Sequence, residues 1–176
     1  MTPLGAWQEH TGPIHEVAWS PVDVWRFASV SGDASIKVWD VRSPMSTHSI
    51  EQAHGPTEVT TVDWNKYEAN TIATGGIDRC IRLWDLRFPG REMMSWPAHE
   101  HGLRRLRYSP FQGNELASGS YDMSLRVWDV TGSQAVMRVV DDEYTEFVTG
   151  LDWHLQAPGR IASCSWDETV NVIQLP

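Results

Sequence analysis

The segment ASVSGDASIKVWD, residues 28–40, recurs three more times along the chain with its Asp in the same place. The later copies read ATGGIDRCIRLWD (73–85), ASGSYDMSLRVWD (117–129) and ASCSWDETVNVIQ (162–174). The Asp recurs at intervals of 45, 44 and 45 residues, as Asp33, Asp78, Asp122 and Asp167. An upstream aromatic residue recurs at the same intervals, as Trp19, Trp64, Tyr108 and Trp153. Four copies in phase indicate a repeat architecture.

A period of 40 to 45 residues ending in Trp-Asp is typical of a β-propeller blade, which contains four short strands. Apolar residues alternate within each copy, as half-buried strands require. We therefore predict an all-β propeller domain over residues 1–176, with no helix and with repeats at about 10–40, 54–85, 99–129 and 143–174. In the third strand of the first three copies we expect Lys37, Arg82 and Arg126 to point outward into solvent.

Composition limits the function classes. The 176 residues carry a net charge of −9, which disfavours non-specific nucleic-acid binding and suits basic partners. Cys80 and Cys164 lie 84 residues apart inside predicted strands, so we expect two buried, reduced thiols. No apolar stretch has membrane-spanning length and the first residues lack signal-peptide features, so we expect a cytosolic protein without direct membrane insertion.

Each repeat holds residues that suggest a hydrolase triad, namely Ser or Thr, His and Asp. Because this set recurs with the fold period, a structural role in every blade explains it better than a single active site. We predict a buried hydrogen-bond chain from Trp to Ser or Thr, then His, then Asp. Its members are His10, Ser29, Asp33 and Trp39; His54, Thr74, Asp78 and Trp84; His99, Ser118, Asp122 and Trp128; and Ser163 with Asp167.

Other chemical candidates are weaker. His99 and His101 flank a Glu, but two His on a loop without a third ligand do not make a metal site. Arg104, Arg105 and Arg107 lie on an alternating strand, so we expect them to point to different faces as solvated side chains. No phosphate-binding loop or dinucleotide motif is present. The sequence thus predicts a binding module that is not an enzyme and needs no metal or cofactor.

The Trp-Asp pairs at 39–40, 84–85 and 128–129 make the chain resemble WD-repeat proteins over essentially its whole length. Less generic strings resemble the peroxin-7 family, the receptors for type 2 peroxisomal targeting signals. They are DWNKY (63–67), LWDLR (83–87), YSPF (108–111), SYDMS (120–124), TEF (145–147) with GLD (150–152), and SWDET (165–169). The Asn-Lys-Tyr turn and the Thr-Glu-Phe entry to the last copy are not required by the fold, so they discriminate among WD-repeat families.

The resemblance implies a receptor that shuttles between the cytosol and the peroxisomal matrix. Its partners would be cargo proteins with an N-terminal type 2 signal, a co-receptor and the peroxisomal docking complex. In that family the signal is an amphipathic segment with an Arg near its start and a His or Gln followed by an apolar residue. Such a ligand needs apolar sockets with acidic groups at their rim. The alternative is a generic WD-repeat scaffold in a ubiquitin-ligase or chromatin complex.

Propellers usually bind partners on the narrow central face, where the loops before strand one and between strands two and three meet. The repeat places a common set of positions there: His15, Glu58, Thr60, Ile77, Arg104, Tyr121, Glu146, Phe147 and Trp166. Tyr121 and Trp166 are large aromatics that the blade does not require, so we expect them to anchor a partner. Glu58 and Glu146 are the candidates for pairing with the Arg of the signal.

The family has seven blades, and the four copies here align with its last four. The last copy has Ile173-Gln174 in place of Trp-Asp and Glu143 or Tyr144 in place of its His, so we expect its hydrogen-bond chain to be incomplete. We expect an outer strand at Leu4 to Glu9 and a third strand immediately before Pro176. An open, incomplete propeller with apolar terminal faces follows, as in a truncated isoform or gene model.

Overall fold

A computed structural model describes residues 5–176 as four antiparallel β-sheets that follow one another along the chain. No strand pairs one sheet with another, and residues 5–176 contain no helix that could span a membrane. Each sheet corresponds to one sequence repeat, and we call them blades 1 to 4. The predicted all-β, incomplete propeller is confirmed.

The strands of blades 1 and 2 are β1 Ile14–Trp19, β2 Arg26–Ser31, β3 Ile36–Asp40, β4 His48–Ile50, β6 Val59–Trp64, β7 Thr71–Gly76, β8 Cys80–Asp85 and β9 Glu92–Pro97, with a separate short β5 Ala53–Pro56 between the blades. Those of blades 3 and 4 are β10 Leu103–Tyr108, β11 Glu115–Ser120, β12 Leu125–Asp129, β13 Val136–Asp141, β14 Val148–Trp153, β15 Arg160–Ser165 and β16 Val170–Gln174. Blades 1 to 3 have four strands in sequential order, and blade 4 has three.

The repeat Asp shapes the turn between the second and third strands of each blade. The residue after it has a left-handed backbone in every copy, with φ of 67° at Ala34 and 62° at Met123. This conformation is unfavourable for residues other than Gly. The carboxylate of Asp33 compensates by accepting the backbone N–H of Ser35 at 3.0 Å, and Asp122 accepts that of Ser124 at 3.1 Å. Repetition of the Asp therefore follows from repetition of a strained turn.

The core lies between the blades rather than inside any one of them. Three clusters of buried apolar residues fill the three contacts between consecutive blades. In the first, Val30 and Val38 of blade 1 meet Val62 and Trp64 of blade 2. Each blade is only one sheet thick, so it can bury its apolar side chains only against its neighbours.

Hydrogen bonds between the innermost strands repeat with the same period. The Trp64 indole of blade 2 donates to the Ala18 carbonyl of blade 1 at 2.9 Å. Two repeats later, the Trp153 indole of blade 4 donates to the Arg107 carbonyl of blade 3 at 3.1 Å. The upstream Trp therefore joins blade 2 to blade 1 and blade 4 to blade 3, whereas the buried Tyr108 at this position in blade 3 has no hydrogen-bond partner for its hydroxyl among the described residues.

A buried carboxylate ties three blades together at their inner strands. Glu16 of blade 1 accepts the Thr61 hydroxyl at 2.6 Å and the Val62 N–H at 3.0 Å, both in blade 2. It also pairs with the guanidinium groups of Arg105 and Arg107 in blade 3. The expectation of solvated arginines was wrong for Arg105 and Arg107, which lie two residues apart on one side of β10 and converge on Glu16, whereas Arg104 lies at the intervening position and makes no contact with Glu16.

The two outer faces of the blade series are apolar and uncovered within the described residues. On blade 1, Val17 and Trp19 are exposed, and on blade 4 so are Val170 and Val172. The prediction of open terminal faces is thereby confirmed. The expectation that both cysteines are buried was wrong: Cys80 is half-buried and Cys164 is exposed, because no described blade packs on its side of blade 4.

Residues 5–9 do not form the predicted outer strand, and Leu4 lies outside the described residues. This segment instead crosses the open side of blade 1. The Trp7 indole donates to the Ser43 carbonyl at 2.8 Å, and its ring lies 5.5 Å from that of Phe27. Without a neighbouring edge to pair with, a lone strand cannot satisfy its backbone groups, and Trp7 supplies apolar cover instead.

Replacing Glu16 with Ala should lower the free energy of unfolding by about 3 kcal/mol, because it leaves two arginines and the Thr61 hydroxyl without their buried partner. Glu51→Ala is the matched control, since the Glu51 carboxylate is largely exposed and Lys37 keeps Ser49 as a partner, so this change should cost less than about 1 kcal/mol. Urea denaturation followed by circular dichroism measures both. Equal midpoints for the two variants would contradict the role of Glu16.

Candidate functional site

Each of the first three blades contains a four-residue hydrogen-bond chain. In blade 3, the Trp128 indole donates to Ser118 Oγ at 2.9 Å, His99 Nε2 lies 2.8 Å from that oxygen, and His99 Nδ1 lies 2.9 Å from Asp122. Corresponding contacts of 2.7 to 2.9 Å join Trp39, Ser29, His10 and Asp33 in blade 1, and Trp84, Thr74, His54 and Asp78 in blade 2. These hydrogen bonds connect the third strand to the second strand and to the segment that precedes the first strand.

This geometry resembles a Ser–His–Asp triad, but the oxygen is inaccessible. Ser118 is 0% exposed and already accepts the Trp128 indole N–H. A nucleophile needs an open position beside it for the reacting carbonyl. With indole on one side and imidazole on the other, Ser118 Oγ has no such position and serves as a structural link.

Blade 4 replaces the histidine of this chain with a tyrosine. The Tyr144 hydroxyl lies 2.6 Å from Ser163 Oγ, and the Thr145 N–H donates to Asp167 at 3.1 Å. Ile173 occupies the position of the Trp, so no indole reaches Ser163. The chain in this blade is therefore shorter than in the others.

The basic residues of the third strands do not point into solvent as we expected. Arg126 donates to the Ala98 carbonyl at 2.7 Å and lies 3.5 Å from Asp122, and Arg82 makes the equivalent contacts with Ala53 and Asp78. Lys37 is buried and donates to Ser49 at 2.9 Å. Arg82 and Arg126 fold back because the half-buried Asp of their own blade and a backbone carbonyl lie within their reach, whereas Lys37 turns toward Ser49 and Glu51.

Burial and hydrogen bonding shift the pKa values of the His and Asp in the hydrogen-bond chain. Burial lowers the pKa of His54 and of His99 despite the adjacent carboxylates. Burial alone would raise the pKa of Asp122, but hydrogen bonds from His99, Ser124 and the Glu100 N–H hold it well below its usual range. Blades 2 and 3 therefore contain a neutral imidazole beside a charged carboxylate.

At the central face, the inner strand of every blade contains one β-bulge. The pairing of the first and second strands shifts after the first residue of the inner strand, and the shift falls at His15, Thr60, Arg104 and Thr149. A bulge of this kind redirects a side chain away from the regular pleat. Three of these four positions are among the residues predicted for the face.

An aromatic strip crosses the face from blade 3 to blade 4. The ring of Phe147 lies 5.0 Å from that of Tyr121 and 5.3 Å from that of Trp166, measured between centroids. Ile77 of blade 2 extends the strip, since Gly102 lies between Ile77 and Tyr121 and a Cβ at this glycine would be 2.9 Å from Ile77. Trp166 is 64% exposed. We refer to Ile77, Tyr121, Phe147 and Trp166 as the apolar strip.

The remaining predicted face residues differ in how much of their side chain is exposed. Glu58 and Glu146 are exposed acids, and the Glu58 carboxylate lies 2.8 Å from His15 Nε2 across the boundary of blades 1 and 2. Arg104 is half-buried. Thr60 is buried and donates to the Leu103 carbonyl at 2.6 Å, so its hydroxyl links blades 2 and 3 and is not free for a ligand.

Sequence reasoning missed Glu16 and the spacer role of Gly102. Nothing in the local sequence marks Glu16, because its basic partners lie 89 and 91 residues away. The sequence does mark Gly102, because it is the one glycine at the position just before the first strand. The other three copies have a residue with a side chain there. Within the described residues, no group of three His, Cys, Asp or Glu side chains is placed to hold a metal ion.

Comparison with known proteins gives one family and several relatives. Residues 6–128 match the family model described as the EIPR1 beta-propeller. The chain is 32% identical over 189 residues to the peroxisomal targeting signal 2 receptor of Saccharomyces cerevisiae (strain ATCC 204508 / S288c), which covers 88% of this chain and 50% of that protein.

Two further relatives match shorter regions. The chain is 44% identical over 75 residues to the peroxisomal targeting signal 2 receptor of Dictyostelium discoideum, covering 42% of this chain and 24% of that one. It is 35% identical over 86 residues to the WD-40 repeat-containing protein MSI4 of Arabidopsis thaliana, covering 48% and 17%. The alignments span half or less of these relatives' length. They confirm the resemblance to type 2 signal receptors.

Trp84→Ala should cost about 3–5 kcal/mol of stability, because the indole is buried between blades and donates to Thr74. Trp166→Ala should change stability by less than about 0.5 kcal/mol, since this side chain is largely exposed. Thermal melts followed by circular dichroism compare the two. If Trp166→Ala melts as early as Trp84→Ala, the assignment of Trp166 to an exposed face is wrong.

Acidification should destabilise the chain from about pH 6.5 downward. The lowered pKa of His99 keeps its imidazole neutral in the folded state, whereas the unfolded state binds a proton below about pH 6.5. Stability therefore falls as the pH falls, and the lowered pKa of Asp122 extends the loss to lower pH. In melts from pH 7.5 to 5.5, His99→Gln should reduce the slope of Tm against pH. His101→Gln, at an exposed position, should leave it unchanged, and equal slopes would contradict the assignment.

Proposed function

Because the chain belongs to the β-propeller family described by the EIPR1 beta-propeller model, we propose a function for its central face. The face binds type 2 peroxisomal targeting signals on cargo proteins, and the protein takes part in their import into the peroxisomal matrix. The observation that carries this proposal is the apolar strip on the face. It supplies the hydrophobic partner that an amphipathic signal needs, and two relatives are named as receptors for that signal.

The spacing of the strip suits a helix. Its aromatic ring centroids lie 5.0 and 5.3 Å apart. The pitch of an α-helix is about 5.4 Å, so apolar residues on successive turns of a bound helix meet successive rings. Recognition of this type uses side chains at positions i, i+3 or i+4, and i+7 of the helix.

Charge sets the direction of binding. Glu58 lies on blade 2, whereas Glu146 lies beside Phe147 on blade 4, so the two acids flank the strip at different blades. Among the described residues the Glu58 carboxylate is held by the exposed His15 alone, and it can exchange that partner for the Arg of a signal. A charge-assisted Arg–carboxylate pair is stronger than a neutral hydrogen bond and has two-point geometry. Glu58 therefore receives the Arg while the rest of the helix lies toward Trp166.

The remaining parts of the function follow from the same proposal. The protein acts as a receptor and not as an enzyme, uses no cofactor, and moves between the cytosol and the peroxisomal matrix. A co-receptor and the docking complex complete the delivery of the cargo. The exposed part of Trp166 remains available to a second protein at the edge of the bound signal.

The test is capture of the chain by an immobilised type 2 signal peptide and by the same peptide with its Arg changed to Glu. We expect at least tenfold more chain on the first peptide. Glu58→Lys should abolish this preference, and it should recover binding to the Arg-to-Glu peptide. Glu68→Lys is the matched control, because Glu68 is an exposed acid beyond the other end of β6.

Capture that is equal for both peptides would refute the proposal. So would a charge effect of the same size at Glu58 and at Glu68. Nuclear enrichment of the tagged protein without any dependence on targeting peptides would instead favour a general WD-repeat scaffold.

A further inference from the structure

Arg104 is a half-buried cation on the central face, and its guanidinium has no hydrogen-bond or ion-pair partner among residues 5–176. Every other half-buried arginine in this range donates to a carboxylate, a carbonyl or an amide oxygen. These are Arg26, Arg82, Arg105, Arg107 and Arg126. A guanidinium that has lost part of its water needs acceptors for its N–H groups in return. Arg104 therefore has donor capacity that no described residue uses.

The position of Arg104 within the blade series is internal. Its strand, β10, packs against β6 of blade 2 and against β14 of blade 4, so both neighbouring blades are described. Arg79 and Arg91 also have no partner in the described range, but both are exposed and keep their water. Arg104 thus combines partial burial with a free guanidinium at a place where its neighbours are present.

The bulge of β10 determines where the side chain of Arg104 points. In two other blades, the residue at this position reaches the entry of the next blade. His15 Nε2 lies 2.8 Å from the Glu58 carboxylate, and the Thr60 hydroxyl donates to the Leu103 carbonyl at 2.6 Å. The repeat therefore directs Arg104 toward the entry of blade 4.

The entry of blade 4 ends at Phe147, whose carbonyl accepts the Trp166 N–H at 3.1 Å. The Glu58 carbonyl accepts the Ile77 N–H at the same distance, so Phe147 and Glu58 hold the same position in their blades. Phe147 is also the middle ring of the apolar strip. A ligand that covers the strip therefore passes close to the guanidinium of Arg104.

We propose that Arg104 is a specificity-determining residue of the central face. It donates to an oxygen acceptor on the bound signal, a carboxylate or a side-chain amide, and it excludes signals that carry Lys or Arg at that position. The inference rests on the proposed function, since the ligand is the signal that lies on the apolar strip.

Glu58 and Arg104 place opposite charges on neighbouring blades of the face. The Glu58 carboxylate attracts one cation of the signal at blade 2, and the Arg104 guanidinium repels a second cation at blade 3. The chain has a net charge of −9, so it attracts basic segments in general. Discrimination among such segments requires a repulsive group inside the site as well as an attractive one. Arg104 supplies that repulsion.

The test measures binding of fluorescent type 2 signal peptides by anisotropy. Each polar position of the peptide beyond its Arg is changed in turn to Lys and to Gln. With the unchanged protein, Lys at one position should bind at least tenfold more weakly than Gln at the same position. Arg104→Glu should reverse this preference at that position and leave the other positions as they were.

Two further variants make the result specific. Arg104→Gln removes the charge and keeps an N–H donor, so it should reduce the penalty for Lys while the Gln peptide still binds. Arg91→Glu is the matched control, because Arg91 is an exposed arginine in the loop between β8 and β9, away from the central face. The same change of charge there should leave the preference for Gln intact. Circular dichroism melts verify the folding of each variant.

Three results would overturn the role of Arg104 while the signal still binds. They are a Lys penalty at no position, a penalty that persists in Arg104→Glu, and equal effects of Arg104→Glu and Arg91→Glu. Failure of the unmodified signal to bind the unchanged protein would overturn the receptor function, and this inference with it. The two kinds of failure are therefore distinguished by the first binding curve.

Discussion

Each blade of this protein is a single sheet with apolar side chains on both of its faces, and this constraint governs the rest of the structure. A sheet of this kind cannot bury both faces by itself, so the hydrophobic core lies in the three contacts between blades. The same constraint explains why Trp64 is buried while its repeat equivalent Trp19 is exposed. Stability is thus a property of neighbouring pairs of blades, and Glu16 extends it to three blades by joining their inner strands.

The repeated hydrogen-bond chain and the variable central face have separate tasks. The hydrogen-bond chain lies inside the blade, where Ser118 is fully buried. It fixes the turn that contains the repeat Asp. Because that turn is rigid, the residue immediately before the Asp can vary without loss of the fold. In blades 3 and 4 this residue is Tyr121 or Trp166, and Phe147 fills the space between them. A rigid scaffold thus presents variable loop residues for recognition.

The fold could be predicted almost completely from the sequence, because a 44 to 45 residue period and alternating strands leave few other architectures. Members of the hydrogen-bond chain were identifiable for the same reason, since every copy repeats them. Features that occur once were not predictable. Glu16 is recognised only through arginines 89 and 91 residues away, and the exposure of Cys164 depends on which blade faces are covered. The position of Trp7 also differs from expectation, since it depends on the absence of a paired edge among the described residues.

The central claim is that a signal helix binds along the apolar strip of the central face. The most direct measurement uses a type 2 signal peptide with a photoreactive phenylalanine at one of its apolar positions, followed by mass spectrometric mapping of the adduct. The account predicts adducts on the loops that contain Tyr121, Phe147 or Trp166. The open side of blade 1, around Trp19 and Phe27, is the competing apolar surface. Adducts concentrated there, with none on the strip, would contradict the account.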